Sequence, residues 1–215
     1  MTSDQYWPLP GLRLRTDLLE LRLPDETDLL ELARLAEAGV HDPAMQPFAV
    51  PWSDAAPVAR ARATMRYHWS CWGSWEPADW TLNLVAVSDA AVVGTIGLAG
   101  RDFAVVREVS TGSWVGRAHQ GRGFGAQMRA AVLALAFEGL AARSATSSAF
   151  TFNAASLAVS ARLGYSDDGA ERRLNRGQAA ELRRLRLDRE AWLAQRRIAV
   201  EISGLEPCLP FFGIG

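Results

Sequence analysis

Apolar side chains recur along this chain with two different periods, which predict a mixture of strands and helices. Two short alternating runs, Leu12–Thr16 and Leu19–Leu23, are typical of strands. An amphipathic helix is predicted to open at Pro24 and to continue to about Glu37, because proline is favoured in the first turn of a helix. A proline-rich loop follows, and a second helix is predicted from about Asp54 to Cys71.

The middle of the chain predicts two paired strands, a further strand and a strongly apolar helix. The runs Leu82–Val87 and Val92–Ala99 flank Ser88-Asp89-Ala90, which is typical of a turn, so they predict an antiparallel pair. Val109–Val115 predicts the next strand. From Phe124 to Leu135, apolar residues recur at spacings of three and four, which is the spacing of one helix face.

The last third of the chain continues the mixed order. Ser144–Phe150 predicts a strand, a helix is predicted to begin at Asn153, and later strands are expected near Tyr165 and over Glu181–Leu187. Strands interrupted by about four helices indicate an α/β (α+β) layer fold with a mixed, mostly antiparallel sheet.

Composition limits the classes of protein that the chain can belong to. With 215 residues and 49% apolar content, we expect one domain over residues 1–215, with an apolar tail over residues 204–215 that packs onto that domain or onto a dimer partner. A formal charge of −1 argues against nucleic-acid and membrane partners. Residues 1–11 lack the pattern of a signal peptide, and no apolar run approaches the ~20 residues of a membrane span. Cys71 and Cys208 have no metal or disulfide spacing, so we expect no metal and a cytoplasmic location.

The most specific chemical feature is the turn Gln120-Gly121-Arg122-Gly123-Phe124-Gly125-Ala126, between the predicted strand and the apolar helix. Glycines at a helix N-terminus leave free backbone N–H groups that bind phosphate, although an ordinary glycine-rich turn has the same sequence features. The chain has no lysine, which excludes a P-loop. The dinucleotide fingerprint needs an acidic residue about 20 positions later, and Leu140–Thr151 contains none.

Two segments resemble the GNAT acyltransferases. Gln120, Gly123 and Gly125 match Gln/Arg-x-x-Gly-x-Gly/Ala, which resembles the CoA-binding signature of that family, and Asn153–Tyr165 resembles its N-x-x-S…V-x-x-x-L-G-[FY] segment. The resemblance covers most of the chain and is closest to the branch that contains ribosomal-protein N-terminal alanine acetyltransferases. It implies a GNAT fold, acyl-CoA as cosubstrate and an amine as acceptor.

Within that branch, one bacterial subgroup resembles the chain more closely, and the resemblance implies succinyl-CoA as well as acetyl-CoA as a donor. The chain departs from the family at positions 152 and 154, where it has Phe152 and Ala154 instead of an acidic residue and a proline, which affects acceptor specificity more than CoA binding. The segments that carry the subgroup resemblance are His41-Asp42-Pro43, Pro51-Trp52, Asp79-Trp80, Asp102-Phe103, Gly112-Ser113-Trp114 and Met128-Arg129-Ala130-Ala131-Val132-Leu133.

The resemblance also implies roles for individual residues. A backbone N–H of Trp114 or Val115 would stabilise the oxyanion of a tetrahedral intermediate. Asn153 would contact the pantetheine arm, and Ser156 would protonate the leaving thiolate. Local physics alone allows a simpler interpretation, in which Asn153 caps a helix and Ser156 fills its first turn.

The attacking amine must be neutral, whereas an α-amine has a pKa of about 8, so a base or desolvation has to help. Glu108 and Asp102 are the candidate bases, although each is equally suited to a solvated loop. In the family, the first two helices shape the acceptor site, which makes Trp52 and His68 candidate acceptor contacts. The alternative is that the aromatic residues here only pack against one another.

These observations predict an N-acyltransferase that moves an acetyl or succinyl group from acyl-CoA to a primary amine by direct attack. The acceptor would be a small molecule or a protein N-terminus, and the chain would act alone or as a homodimer or higher homo-oligomer. The alternative function is a non-catalytic acyl-CoA sensor or interaction module on the same fold. If the acyl group carries a carboxylate, Arg62, Arg66 or Arg101 would be candidate partners for it.

Overall fold

Nine strands form one sheet within residues 5–214, which are the residues that this computed structural model describes. In spatial order, the strands are the seventh, eighth, sixth, fifth, fourth, third, second, first and ninth of the sequence. Their bounds are β1 Arg13–Arg15, β2 Glu20–Arg22, β3 Asp79–Ser88, β4 Ala91–Arg101, β5 Glu108–Val115, β6 Ser144–Phe150, β7 Ser166–Asn175, β8 Gln178–Asp188 and β9 Glu201–Ser203.

Helices pack against both faces of this sheet. Successive strand residues point to opposite faces, and Leu84 and Val85 on β3 accordingly belong to two separate apolar clusters. The α-helices are α1 Glu26–Ala38, α2 Pro57–Gly73, α3 Phe103–Val106, α4 Phe124–Ala134, α5 Ala154–Arg162 and α6 Arg189–Gln195. A π-helical turn at Leu135–Gly139 extends α4, and short 3₁₀ turns occur at Leu9–Gly11, Trp52–Asp54, Arg117–His119 and Glu206–Phe212.

The sheet is antiparallel except at one place that matters for function. Within the described residues, β5 and β6 are the only neighbouring strands that run parallel, and they pair only from Glu108↔Ser144 to Ser110↔Thr146. From Thr111 onward, the edge of β5 that faces β6 has no strand partner. The two strands therefore separate and leave an open cleft through the sheet.

Specific polar contacts fix the α1–α2 pair on one side of this cleft. Asp25 and Asp28 form a capping box at the start of α1, and Arg22 donates two hydrogen bonds to Asp28 at 2.8 and 2.9 Å. Arg60 on α2 donates to the carbonyl oxygens of Ala36 and Glu37, which are among the orphan acceptors at the end of α1. Arg60 also donates to the carbonyl oxygens of Ser53 and Ala55, so it joins the end of the connecting loop, residues 39–56, to both helices.

The carboxy-terminal tail packs onto the chain's own core. Cys208 and Phe212 are fully buried, and the indole Nε1 of Trp75 donates to the carbonyl oxygen of Phe211 at 2.9 Å. Packing on the same chain accounts for the apolar residues of the tail without a second copy. Residue 215 of the tail and residues 1–4 of the amino-terminal segment lie outside the described part of the chain.

The predicted fold class is confirmed, and the predicted strand over Ser144–Phe150 has the observed bounds. The sequence did not predict α3, α6, β9 or the short 3₁₀ turns, so the structure has more helical segments than the four expected.

None of the described helices combines the length and apolar character needed to cross a bilayer. Between residues 5 and 214, no three His, Cys, Asp or Glu side chains lie close enough to share a metal ion, and both cysteines are buried free thiols.

Candidate active site

The cleft between β5 and β6 opens into a cavity of about 760 Å³. The unpaired edge of β5 forms one wall, and the first turn of α5 forms the opposite wall. Free backbone N–H and C=O groups on such an edge pair readily with the amide groups of an extended ligand. Ten residues that the sequence predicted as cofactor contacts line this cavity: Trp114, Val115, Gln120, Gly121, Gly123, Phe124, Gly125, Ala126, Asn153 and Ser156.

The glycine turn forms one end of the cavity at the N-terminus of α4. No side chain caps this helix, so its first N–H groups are free to bind an anion. Gly121 and Gly123 have φ values of 78° and 83°, a left-handed conformation that favours glycine, and a Cβ at either position would meet nothing within 4 Å. The turn therefore offers free N–H groups without a side chain in the way.

Gln120 positions the turn through hydrogen bonds of its own. Its Nε2 donates to the carbonyl oxygen of Val40 at 2.8 Å and to that of Val115 at 3.0 Å. The amide therefore ties the end of β5 to the loop after α1. Arg122, the remaining residue of the predicted turn contacts, is exposed and does not line the cavity.

Asn153 and Ser156 meet at the start of α5 on the cavity wall. The side-chain oxygen of Asn153 accepts a hydrogen bond from the backbone N–H of Ser156 at 3.2 Å, which makes Asn153 the N-cap of the helix. The backbone oxygen of Ser156 accepts from the hydroxyl of Ser160. The hydroxyl of Ser156 has no hydrogen-bond partner within residues 5–214 and faces the cavity.

A second cavity of about 490 Å³ lies on the other face of the sheet, between α2 and strands β3 to β5. Trp52 and His68, the predicted acceptor contacts, both line it. The ring of Trp52 lies 5.2 Å from that of Phe48 and 5.7 Å from that of Trp114, so three aromatic rings form one wall. Both cavities share five lining residues, which are Phe48, Thr111, Gly112, Ser113 and Trp114.

Two buried polar side chains line the second cavity. His68 is 1% exposed and Asn83 is 4% exposed, and neither His68 Nδ1 nor Asn83 Nδ2 makes a well-formed hydrogen bond within the described chain. The Asn83 amide lies close enough to the Tyr67 hydroxyl and the Cys71 thiol to act against the rise that burial causes in the pKa of each. Burial lowers the pKa of His68 to about 4, so its imidazole is neutral near pH 7. The sequence singled out His68 but gave no signal for Asn83, whose significance depends on its neighbours in the fold.

A buried arginine that the sequence did not predict as a site residue lies at the base of the larger cavity. Arg129 on α4 is 4% exposed, and its Nη1 donates to the hydroxyl of Ser160 at 2.7 Å. Its Nε has no partner, and no carboxylate of the described chain pairs with it. Burial lowers the pKa of Arg129, because a charge without a counter-ion is costly away from water.

The tip of the β7–β8 hairpin covers the loop between α1 and α2. Arg176 binds the carboxylate of Asp54, and the side-chain amide of Asn175 donates to the carbonyl oxygen of Gln46 at 2.8 Å. The same loop supplies Phe48 to both cavities. The hairpin tip therefore holds one wall of the site in place.

The structure does not bring Glu108 and Asp102 to either cavity. Although burial acts to raise the pKa of Glu108, hydrogen bonds from Ser144 and Arg186 lower it overall. Asp102 precedes α3 in a left-handed conformation with φ 49°. Three arginines considered as partners for an acyl carboxylate also line neither cavity: Arg62, Arg66 and Arg101.

Comparison with known families gives a match over most of the chain. A family model described as an acetyltransferase (GNAT) domain matches residues 19–166. These residues include β5, the glycine turn, α4 and α5, which together form the larger cavity.

Solved structures with the same fold include three acetyltransferases. RimL, described as a ribosomal L7/L12 alpha-N-protein acetyltransferase in complex with coenzyme A, is 17% identical, with a TM-score of 0.68 over 82% of this chain and 97% of that one. An acetyltransferase of the GNAT family from Bacillus anthracis is 12% identical, with a TM-score of 0.66 over 83% and 99% of the two chains. The microcin C7 self-immunity acetyltransferase MccE, in complex with acetyl-CoA and AMP, is 14% identical, with a TM-score of 0.64 over 80% and 93%. At these identities, the likeness shows the fold.

Proposed function

This chain belongs to the GNAT acetyltransferase family, and from that premise we propose that it transfers an acetyl or succinyl group from acyl-CoA to a primary amine. The observation that carries the proposal is the meeting of two cavities at Gly112–Trp114. A thioester held at this point is accessible from the larger cavity, where its CoA portion would lie, and from the smaller cavity, where the amine would approach.

The residues of the larger cavity suit the CoA portion of the donor. Its diphosphate fits the free N–H groups of Gly121-Arg122-Gly123-Phe124-Gly125, because a helix N-terminus favours negative charge. Its pantetheine amides fit the unpaired edge of β5 and the side chain of Asn153. In this proposal, Gln120 orders the turn through its two carbonyl contacts rather than binding phosphate itself.

The transfer itself is one substitution at the thioester carbonyl. The amine nitrogen forms a bond to the carbonyl carbon, the C–S bond breaks, the nitrogen loses a proton and the thiolate gains one. A backbone N–H of Trp114 or Val115 would stabilise the oxyanion, an effect typically worth about 10²–10³ in rate. Ser156 would donate the proton to sulfur, since its hydroxyl faces the cavity without another partner.

Deprotonation of the amine does not require Glu108 or Asp102 in this mechanism, since neither lines a cavity. No carboxylate within the described residues lines the smaller cavity, whereas Asp42 lies at the exposed rim of the larger one. An ammonium ion entering the smaller cavity would be desolvated without a counter-charge, which favours the neutral amine. The amine would therefore be bound as the free base.

The choice between the two donors depends on whether a cation receives the succinyl carboxylate. Arg129 is buried at the base of the larger cavity without a carboxylate partner, and it supports the succinyl alternative. Acetyl-CoA would leave that charge uncompensated.

Either a small-molecule amine or a protein N-terminus remains the proposed acceptor. The proposed location is a reducing cytoplasm, which suits two free thiols.

Calorimetric titration with acetyl-CoA, succinyl-CoA and free CoA, followed by release of CoA thiol in the presence of amines, tests this function. Binding with amine-dependent thiol release supports the transferase. Binding of acyl-CoA without turnover on any amine would favour a non-catalytic acyl-CoA sensor, and no binding would overturn the assignment of the cleft. Preference for succinyl-CoA that disappears in Arg129→Met, but not in Arg162→Met at the same cavity, would assign the carboxylate to Arg129.

A further inference from the structure

Two buried side chains on the smaller cavity each have a nitrogen that makes no well-formed hydrogen bond within the described residues. His68 comes from α2 and Asn83 from β3, and both side chains line the cavity. A buried donor or acceptor without a partner costs free energy, so natural structures satisfy nearly all such groups. A ligand in the cavity that hydrogen-bonds to both groups would remove this cost.

The charges around this cavity indicate what kind of ligand would hydrogen-bond to His68 and Asn83. Among its lining residues, the titratable side chains are Tyr67 and His68 on α2, and the loop and strands β3, β4 and β5 contribute none. Burial raises the pKa of Tyr67, so the phenol is neutral, as is the imidazole of His68. The charged or titratable residues of the adjoining cavity are His41, Asp42, Arg117, His119, Arg129 and Arg162. A second charge on the acceptor would therefore find no counter-ion in the smaller cavity.

Aromatic rings and glycines determine the shape of the same cavity. Phe48, Trp52 and Trp114 form its wall. On the floor, a Cβ at Gly97 would lie 2.7 Å from the side-chain oxygen of Asn83, whereas a Cβ at Gly112 would enter open space. The Asn83 side chain therefore fills the space over Gly97, and the open part of the floor lies over Gly112.

We infer that the smaller cavity selects amine acceptors with an uncharged aromatic or apolar body that ends in a hydroxyl or carboxamide, which hydrogen-bonds to Asn83 and His68. This inference rests on the proposed function for the identity of the ligand as an acceptor. It adds a substrate class and two specificity-determining residues to that function. The amine itself would lie near Gly112–Trp114, where the two cavities meet.

Matched pairs of amines test the inference. Tyramine and 2-phenylethylamine differ by one hydroxyl group, as do tyrosylglycinamide and phenylalanylglycinamide, which represent a small amine and a peptide N-terminus. In the pair that reacts, we expect kcat/KM, measured by thiol release, to be at least about tenfold higher for the hydroxylated amine. The amine without the hydroxyl would leave the polar groups of His68 and Asn83 unpaired. Asn83→Ala and His68→Phe should reduce that ratio towards one.

Gln127→Met supplies the matched control variant. Gln127 Oε1 is also buried without a partner, but Gln127 lines neither cavity. The control should keep the wild-type ratio, and circular dichroism should establish that all three variants fold. Equal rates within the reacting pair, or an equal loss of selectivity in Gln127→Met, would overturn the inference. So would a lower affinity of Asn83→Ala for acyl-CoA without a change in the acceptor KM.

A binding measurement separates this inference from the proposed function. N-acetyltyramine and N-acetylphenylethylamine are uncharged products that need no turnover to bind. Calorimetry on the CoA-saturated protein should give tighter binding of N-acetyltyramine in the wild type and equal binding in Asn83→Ala. That result without any acyl transfer would sustain the cavity assignment while refuting the transferase, and equal binding in the wild type would refute the cavity assignment.

Discussion

Arg176 and Asp54 lie 122 residues apart in the chain and are joined by two charge-assisted hydrogen bonds, from Nε to Oδ2 at 3.2 Å and from Nη2 to Oδ1 at 2.5 Å. The pair connects the tip of the β7–β8 hairpin to the loop between α1 and α2. Since that loop supplies Phe48 and Trp52 to the cavities, the ion pair holds part of the active-site wall.

Asp54→Asn should loosen this wall. Arg176 lowers the pKa of Asp54 through its hydrogen bond, so the carboxylate is ionised at neutral pH. We expect the KM for acyl-CoA and acceptor to rise by up to about fivefold with little change in kcat, because exposed ion pairs have small effects. Steady-state kinetics measure the two KM values, and the rate of limited proteolysis in residues 39–56 measures the loosening of the loop.

Glu171→Gln is the control for that variant, since Glu171 pairs with Arg173 within the same hairpin and lines neither cavity. It should leave both KM values unchanged. The pKa of Asp54 in the folded state is below the ordinary value of Asp. Its contribution to the free energy of unfolding is therefore present above about pH 4 and is lost as pH falls through the lowered pKa. Equal KM values in Asp54→Asn and wild type at low salt would contradict the role of the pair.

Ser156→Ala should lower kcat without weakening donor binding. The hydroxyl faces the cavity without a protein partner, and acid–base groups typically contribute about 10²–10⁴ in rate. Thiol-release kinetics and calorimetry with acyl-CoA measure the two quantities. Ser160→Ala is the matched comparison, because its hydroxyl is already bonded to Arg129 and to the backbone of Ser156. An unchanged kcat in Ser156→Ala would remove that residue from the chemistry.

Asn153→Ala should destabilise the fold and weaken acyl-CoA binding. Loss of the N-cap hydrogen bond to Ser156 is expected to cost about 1 kcal/mol in the free energy of unfolding. Asn153→Ser separates the two effects, because serine retains an oxygen that can cap α5 while the longer amide side chain is lost. Urea unfolding should detect the stability loss in the alanine variant alone. Weaker acyl-CoA binding in both variants would assign a donor contact to Asn153, and wild-type affinity in the serine variant would limit Asn153 to capping.

Features with a local cause were predictable from the sequence. Asn153 caps α5, as the sequence allowed, and Gly164, the glycine of the L-G-[FY] pattern, adopts a φ of 91° just after that helix. The free N-terminus of α4 likewise follows from Gly121 and Gly123. Each of these depends on residues that are close together in the chain.

Features that depend on distant parts of the chain were not predictable. Arg129 lies within an apolar helix, and only the packing of α5 brings Ser160 to its side. Asn83 pairs with Gly97 on β4, and the missing side chain of that glycine leaves the space that the Asn83 side chain fills. The contact between Arg176 and Asp54 needs the whole sheet to be in place. Spacing rules describe neighbours on one element, so they do not specify such contacts.

Gly112→Ala should narrow the smaller cavity without harming the fold. A Cβ at this position would meet no atom within 4 Å, and Gly112 shares the sheet face of Trp114, towards that cavity. We expect a higher acceptor KM and an unfolding free energy that is unchanged or higher by up to about 1 kcal/mol, because alanine restricts the unfolded chain. Gly73→Ala, also in open space but away from both cavities, controls for the general effect. An acceptor KM that rises equally in both variants would contradict the assignment of the cavity.

His68 should make stability depend on pH in a window set by its lowered pKa. The unfolded chain takes up a proton near pH 6.5, whereas the folded protein resists protonation of this buried ring until about pH 4. Between these values the unfolded state binds more protons, so the free energy of unfolding falls as pH falls, by about 3 kcal/mol in total at most.

His68→Gln isolates this contribution, because glutamine retains a hydrogen-bonding group but does not titrate. Urea unfolding at intervals from pH 7.5 to 4 should give a steeper decline for the wild type than for the variant, and the difference should arise between pH 6.5 and 4. Carboxylates with lowered pKa values, such as Glu108 and Asp54, affect both proteins alike and mainly below this window. Parallel curves would mean that His68 reaches solvent when protonated, and a ring that moves so readily could not serve as the fixed polar end of the acceptor cavity.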